Sequence, residues 1–403
     1  MIKQIKSSEL SLGMYIDKLE VSWIDHPFLR NRFKINTLDD IRRIRKSGVK
    51  HVNIDTEKGV DVAPQSDIEQ RPKKAEPVVE SRQKPSYTPV SVTEELARAR
   101  RVMQEAGRVI SDFKTDIRLG KQVDYERVCP LVEGMLGSIF RNQDALLGLT
   151  RIRQMDKYTF EHSISVSVLL IAFAKTLGLD ESMIWELGIG GLLHDIGKLQ
   201  VPDEILNKPG RLTDQEFATM QNHVVFGSRL LGDATAIPGK AKQVIRQHHE
   251  RMDGNGYPNR LSAEEISLYG KMAAIVDVYD AITSDRVYHK GKLPNIVLSQ
   301  LLEWSRKNIF DAQLVQRFVQ CVGIYPVGTL VALQSGRVAI VEASSPDALL
   351  TPVVKVIYDI QRASYLTPKL VDLAEHSLRT GESILKAVDA KAYGIDLASF
   401  LAE

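Results

Sequence analysis

The chain has 403 residues, of which 43% are hydrophobic and 26% charged; this is soluble-protein composition at a length for two or three domains. Lys and Arg number 53 against 51 Asp and Glu, a formal net charge of +2, so global charge gives no sign of a nucleic-acid binder or an acidic tail. The two cysteines, Cys129 and Cys321, exclude a disulfide framework and a Cys-rich zinc module.

The first residues, MIKQIKSSELSLGMYIDK, lack the apolar core of a signal peptide. The longest apolar candidate, Ile164–Ala174, is interrupted by Ser165 and Ser167. No membrane span and a cytoplasmic, reducing location are expected. Residues 1–60 read as a small α/β N-terminal module. Met14–Ile16 and Phe33–Ile35 are short strand candidates. Thr37 opens TLDDIRRIRKSG with a cap, early acids, late bases and Gly48 as a stop, and Val49–Ile54 alternates as a strand.

Residues 61–93 hold five of the 16 prolines and one aromatic, Tyr87, which predicts an extended linker. A flexible chain of 33 residues spans about 30 Å. Residues 94–155 read as connecting amphipathic helices. Leu96, Met103, Ile110 and Ile117 recur every seven residues, and Ala99, Ala106 and Phe113 follow the first three by three places. This seam fits a homodimer coiled coil through residues 94–118, or a helix packed on its own domain. Its shortness and its two Ala positions favour the second. Residues 326–403 predict a β-containing C-terminal extension, in which Thr329–Leu333 and Val338–Val341 flank the turn QSGR and Pro352–Tyr358 is a further strand.

Chemistry concentrates in residues 156–325. His162 stands in YTFEHS, His194 and Asp195 in LLHDIGK, His223 in MQNHVVFG, His248 and His249 in QHHERMDGNGYP, and Asp277 in AAIVDVYDA. The segments are 25–32 residues apart, which suits one ligand-bearing helix each, converging in a bundle core. A lone buried histidine is more often a hydrogen-bonded core residue than a ligand. Five such segments in one stretch are not explained that way. Nitrogen and carboxylate donors without thiolate suit Mn, Fe, Co, Ni or Zn better than Ca or Mg. An Asp beside a His can bridge two ions, and two ions about 3.5–4 Å apart can activate a water for attack on phosphorus. His26 and His51 read as ordinary surface or core residues.

These strings carry a resemblance. HDIGK at 194–198, NKPGRLT at 207–213, HHERMDGNGYP at 248–258 and VDVYDAITSDRVY at 276–288 make residues ~150–325 similar to an HD-GYP domain, a branch of the HD phosphohydrolase superfamily. Residues 1–60 resemble the small uncharacterised domain that often precedes it, and the tail from Tyr325 resembles the family's C-terminal extension. The resemblance implies a mainly α protein built around an all-helical metal domain. It implies hydrolysis of the bacterial second messenger cyclic di-GMP to linear pGpG, and in some members to GMP, by a hydroxide bridging two divalent transition metals (Fe, Mn, Ni or Co).

The ligands so implied are His162, His194, Asp195, His223, His248, His249 and Asp277. Asp195 would bridge. His194 and Asp277, with His162, would hold one ion; His223, His248 and His249 would hold the other. Some members hold a third ion through a Glu four residues before the first His. Here that position is Tyr158, and Glu161, adjacent to His162, would point elsewhere, so two ions are expected. Lys198 would meet a phosphate oxygen and act with Asp195 in catalysis. Arg286 would bind phosphate or a guanine edge, and Tyr257 would stack on or hydrogen-bond a base. Asp280 would orient Arg286. Gly254 and Gly256 would let the loop turn tightly. Where a basic residue is common, this chain has His289. The competing readings are a catalytically silent cyclic di-GMP sensor and an HD phosphohydrolase for another nucleotide; the intact ligand set and GYP string weigh against both. The N-terminal module is expected to regulate access or recruit a protein partner.

Overall fold

The computed structural model describes residues 2–7, 10–11, 13–19, 32–35, 41, 44, 49, 51–60, 87–121, 123–151, 158–231, 237–285, 290–344, 348–397 and 400. It divides into two compact units, Met1–Gln83 and Lys84–Glu403.

In the first unit four antiparallel strands, β1 (Ile2–Lys6), β2 (Tyr15–Leu19), β3 (Phe33–Lys34) and β4 (His51–Asp55), lie in the order β1-β4-β2-β3. Ile5, Ile16, Val52 and Ile54 bury one face against Ile41 and Ile44, which are helical and three residues apart. Three of these strands overlap the expected ones, Met14–Ile16, Phe33–Ile35 and Val49–Ile54. β1 does not: IKQIK buries only Ile5, and the strand is defined by its pairing with β4. His51 is exposed, and His26 lies outside the described residues. So does most of the expected linker, 61–86.

Its last residues, 87–93, are not linker. Tyr87 stacks at a tilt on Phe140 with centroids 5.1 Å apart, and its hydroxyl donates to Glu181 Oε1 at 3.4 Å. Ser91 forms a capping box with Glu94 and starts α1 (Val92–Arg118) two residues before the sequence suggested. Ala99, Ala106, Ile110 and Phe113 of the expected seam are buried against the chain's own core, and α1 packs on α2 (Cys129–Leu149). The two small Ala positions let the helices approach closely. The seam is therefore packed on the chain's own core. Glu95 is fully buried on this interface and takes a bidentate pair from Arg141 at 2.7 and 2.7 Å, with Arg98 at 3.4 Å. α2 breaks at Asn142, whose Oδ1 accepts from the Asp144 and Ala145 N–H groups while its Nδ2 donates to the Val90 carbonyl.

Among the described residues of 158–322 there are nine further α-helices: α3 (Tyr158–Thr176), α4 (Glu181–Leu193), α5 (Asp203–Leu206), α6 (Asp214–Gln221), α7 (His223–Leu230), α8 (Gly239–Gln247), α9 (Leu268–Thr283), α10 (Pro294–Arg306) and α11 (Ala312–Val322). α3, α4 and α9 are apolar on nearly every face because they form the centre of one continuous core. No helix among the described residues is long and apolar enough to cross a membrane.

The chain ends in a five-stranded antiparallel sheet: β5 (Leu330–Leu333), β6 (Arg337–Ala343), β7 (Val353–Asp359), β8 (Ser364–Asp372) and β9 (Ile384–Ala387), ordered β8-β7-β6-β5-β9, with α12 (Leu373–Thr380) between the last two. The QSGR turn joins β5 to β6. Leu330 and Ala332 serve one buried face, and Val331 and Leu333 the other.

The Glu95 pair gives a stability test. Arg141→Ala strands a buried carboxylate and is expected to cost about 3–5 kcal/mol. Replacing both partners, Glu95→Leu with Arg141→Leu, is expected to cost much less. Urea denaturation midpoints of the two variants check this; equal losses would contradict it.

Candidate metal centre

Six elements bring their polar residues to one buried point. α3 supplies His162. The end of α4 supplies His194 and Asp195, and the 3-10 turn Ile196–Gln200 supplies Lys198. α7 opens with His223, α8 closes onto His248 and His249, and α9 supplies Asp277 and Asp280. Gly197 makes this convergence possible. A Cβ there would lie 1.9 Å from the His223 carbonyl and 2.3 Å from the Gly227 nitrogen, so only glycine lets the HDIGK turn sit on α7.

Asp195 is central and divides its two oxygens. Oδ2 faces His194 Nε2 at 3.3 Å and His162 Nε2 at 3.6 Å. Oδ1 faces His223 Nε2 at 3.3 Å and His248 Nε2 at 3.8 Å. Asp277 Oδ1 lies 2.9 Å from His162 Nε2 and 3.8 Å from His194 Nε2. Its other oxygen lies 3.5 Å from His249 Nδ1. Two groups of ligand atoms result, His162–His194–Asp195 and Asp195–His223–His248–His249, each within 4.8 Å. They share Asp195, and all seven implied ligands come together.

The tautomers follow from the outer contacts. His194 Nδ1 is 2.7 Å from the Gly191 carbonyl, His223 Nδ1 is 2.7 Å from that of Met220, and His248 Nδ1 is 2.9 Å from that of Ile245. A carbonyl only accepts, so each Nδ1 carries the hydrogen. A neutral ring then turns an Nε2 lone pair inward. Burial pushes the pKa of His223 down to about 4 and that of His249 to about 3, and burial with the neighbouring His249 holds His248 well below its ordinary value. These rings are neutral at pH 7. His223 Nε2 and His248 Nε2 thus face each other at 3.3 Å as two acceptors. Such a contact needs a cation between or beside the lone pairs.

Two other observations agree. Buried His194 Nε2 and Asp195 Oδ1 have no hydrogen-bond partner. Burial opposes charge on Asp195 and Asp277. Lys198 nevertheless holds Asp195 well below the usual carboxylate range, and His162 does the same for Asp277. Burial also disfavours charge on His162, but hydrogen bonds to Asp277 and Asp280 on its two nitrogens raise its pKa above 6.5. The pocket is built for positive charge, and the donor set fits a transition-metal site.

Lys198 Nζ lies 2.5 Å from Asp195 Oδ2 and is 22% exposed, so it borders both the ligands and solvent. Tyr257 lies over His249, ring centroids 4.5 Å apart at 30°, and 6.3 Å from His223. Burial raises its pKa, which keeps the hydroxyl protonated. Gly254 has φ +72° and turns the loop; a Cβ on Gly256 would meet the Arg251 nitrogen at 2.4 Å. Asp280, expected to orient Arg286, is 2.6 Å from His162 Nδ1. It orients a ligand, as the usual outer partner of a metal-binding histidine. Arg286, His289 and the side chain of Tyr158 lie outside the described residues. Glu161 is not in either ligand group and lines a cavity with Arg151, Tyr279 and Asp280.

Sequence reading missed Glu250. It is 1% exposed and accepts from the Asn259 and Leu261 N–H groups at 2.8 and 3.0 Å. This buried carboxylate clamps the far side of the Tyr257 loop to the segment bearing His248 and His249. Its position directly after those histidines is the only signal the sequence offers.

Residues 140–314 match the HD domain family, and residues 2–128 match a domain of unknown function, DUF3391. A cyclic di-GMP phosphodiesterase of Pseudomonas aeruginosa is 41% identical over 374 residues, which is 93% of this chain and 89% of that protein. A 3'3'-cGAMP-specific phosphodiesterase of Vibrio cholerae is 34% identical over 170 residues, 42% of this chain and 32% of that protein. Among solved structures, an HDGYP protein from Bdellovibrio bacteriovorus aligns at 16% identity with a TM-score of 0.47, covering 79% of this chain and 98% of that one.

The Asp280 contact predicts a metal phenotype. Asp280→Asn keeps the shape and removes the charge behind His162. Affinity for Mn(II), measured by equilibrium dialysis, is expected to fall about 10–100-fold. An unchanged affinity would mean that Asp280 does not support the ligand.

Proposed function

The chain belongs to the HD-GYP family of cyclic di-GMP phosphodiesterases, and on that premise we propose that it cleaves cyclic di-GMP to the linear dinucleotide at a centre of two divalent transition ions. The observation that carries this reading is the division of Asp195. One carboxylate oxygen faces each ligand group, and inward lone pairs surround both. A pair of bound cations supplies Lewis acidity there, which activates water and screens phosphate charge.

The protein residues have separate tasks. His162, His194 and Asp277 would hold one ion, and His223, His248 and His249 the other, with Asp195 available to both. Asp280 and the three backbone carbonyls fix the imidazoles, so the site does not reorganise when charge develops. Lys198 shares an oxygen of Asp195 and stands at the solvent side. There it meets a non-bridging phosphate oxygen and offsets the charge that grows on it. Tyr257 covers His249 and meets a base with its ring or its neutral hydroxyl. Fe, Mn, Ni and Co all suit this donor set.

Identity over 93% of the chain to a cyclic di-GMP phosphodiesterase supports that substrate over 3'3'-cGAMP, whose specific phosphodiesterase aligns over 42% of it.

The test is turnover by anaerobically purified protein loaded with Mn(II) or Fe(II), with products separated by chromatography. Cyclic di-GMP is expected to yield the linear dinucleotide faster than 3'3'-cGAMP is cleaved. Asp195→Ala is expected to lower kcat at least about a thousandfold, the scale of losing a principal electrostatic stabiliser. Metal-loaded wild type that binds the nucleotide without turnover would instead make the protein a sensor.

A further inference from the structure

Beyond the ligand groups, one exposed aromatic side chain stands against the site. Phe217, in α6, is 48% exposed. Its ring meets Tyr257 nearly at right angles, with centroids 6.4 Å apart at 78°. Tyr257 in turn lies against His249 and near His223. Single exposed apolar residues are ordinary on protein surfaces, so exposure alone decides nothing. Here, however, rings in file run from solvent to two metal ligands.

Phe217 is also held in place. α6 opens with a capping box between Thr213 and Glu216, and Lys208 grips Glu216 at 2.6 and 2.7 Å. The Phe217 N–H donates to the Thr213 carbonyl at 2.8 Å. Only Asn222 separates the end of α6 from His223, so the position of this ring is tied to that of a ligand.

We propose that Phe217 is a substrate-binding residue that forms, with Tyr257, a corner for one purine base of the dinucleotide, Phe217 being the solvent-side wall. This rests on the phosphodiesterase reading of the metal centre. Two perpendicular rings cannot sandwich a base, but they offer a flat face and an edge to the same bicycle. A nucleotide places its base a sugar's width from its phosphate. A base subsite therefore has to begin one side-chain layer outside the metal ligands, and Tyr257 is that layer. Aromatic stacking tolerates any base, and the larger purine face covers more of an otherwise uncovered Phe ring.

The test uses the full-length, metal-loaded chain, with steady-state hydrolysis of cyclic di-GMP and a calorimetric Kd for the same nucleotide. Phe217→Ala and Phe217→Leu are expected to raise KM and Kd about ten- to a hundredfold, the scale of losing one base–aromatic stack. The loss is carried by KM rather than kcat, with metal content as in wild type. Phe217→Trp keeps a flat ring and is expected to bind at least as tightly as wild type. Phe217→Leu binding as tightly as wild type would overturn the proposal, because Leu supplies apolar area without a face to stack on. So would a loss that accompanies loss of metal, which would make Phe217 a packing residue of α6. If wild type binds cyclic di-GMP without turnover, the phosphodiesterase reading fails and the Kd series alone decides the corner. If wild type does not bind it, both fail.

Discussion

The structure is organised around the cost of burying an excess of hydrogen-bond acceptors in an apolar helical core. Five imidazoles and two carboxylates meet there, and at least three of the rings present lone pairs rather than hydrogens to the centre. Without positive charge this cluster would be strongly unfavourable. The same feature gives a transition metal a ready coordination shell, so the instability of the empty arrangement and its affinity for cations have one origin.

Helix ends do much of the orienting. The last carbonyls of an α-helix have no partner within the helix. His194 uses the Gly191 carbonyl at the end of α4, His223 uses Met220 in the last turn of α6, and His248 uses Ile245 at the end of α8. In each case the histidine lies three residues beyond the carbonyl it binds. One device thus satisfies an orphan acceptor, fixes a tautomer and aims Nε2 inward. His162 lies inside α3, where the carbonyls are already taken, and it uses a side chain, Asp280, for the same purpose. Gly197 closes the arrangement by letting the turn after α4 sit directly on α7.

Much of this was legible in the sequence because ligand chemistry restricts residue type. Histidine and aspartate at helix-length intervals mark the centre whatever the surrounding packing, and the seven ligands could be named before any geometry. Contacts that a generic residue can make were less legible. Glu250 is one acid among many until its burial and its two backbone donors are known. Phe217 reads as an apolar residue of an amphipathic helix, and only its exposure beside Tyr257 distinguishes it. The Asp280 contact with His162 was not read, since helical spacing gives a neighbouring turn but not which partners a side chain meets. Similarly, the heptad in α1 records an apolar stripe and not what covers it; here α2 does. β1 was missed because its apolar spacing follows neither period, and its pairing with β4 is non-local.

The central claim is that one carboxylate, Asp195, joins two metal ions. Electron paramagnetic resonance of the protein titrated with Mn(II) tests it most directly, because two Mn(II) ions sharing a carboxylate couple magnetically. The account predicts a spin-coupled spectrum at saturation, with two ions bound per chain. Saturation at one ion, with only the spectrum of isolated Mn(II), would contradict it.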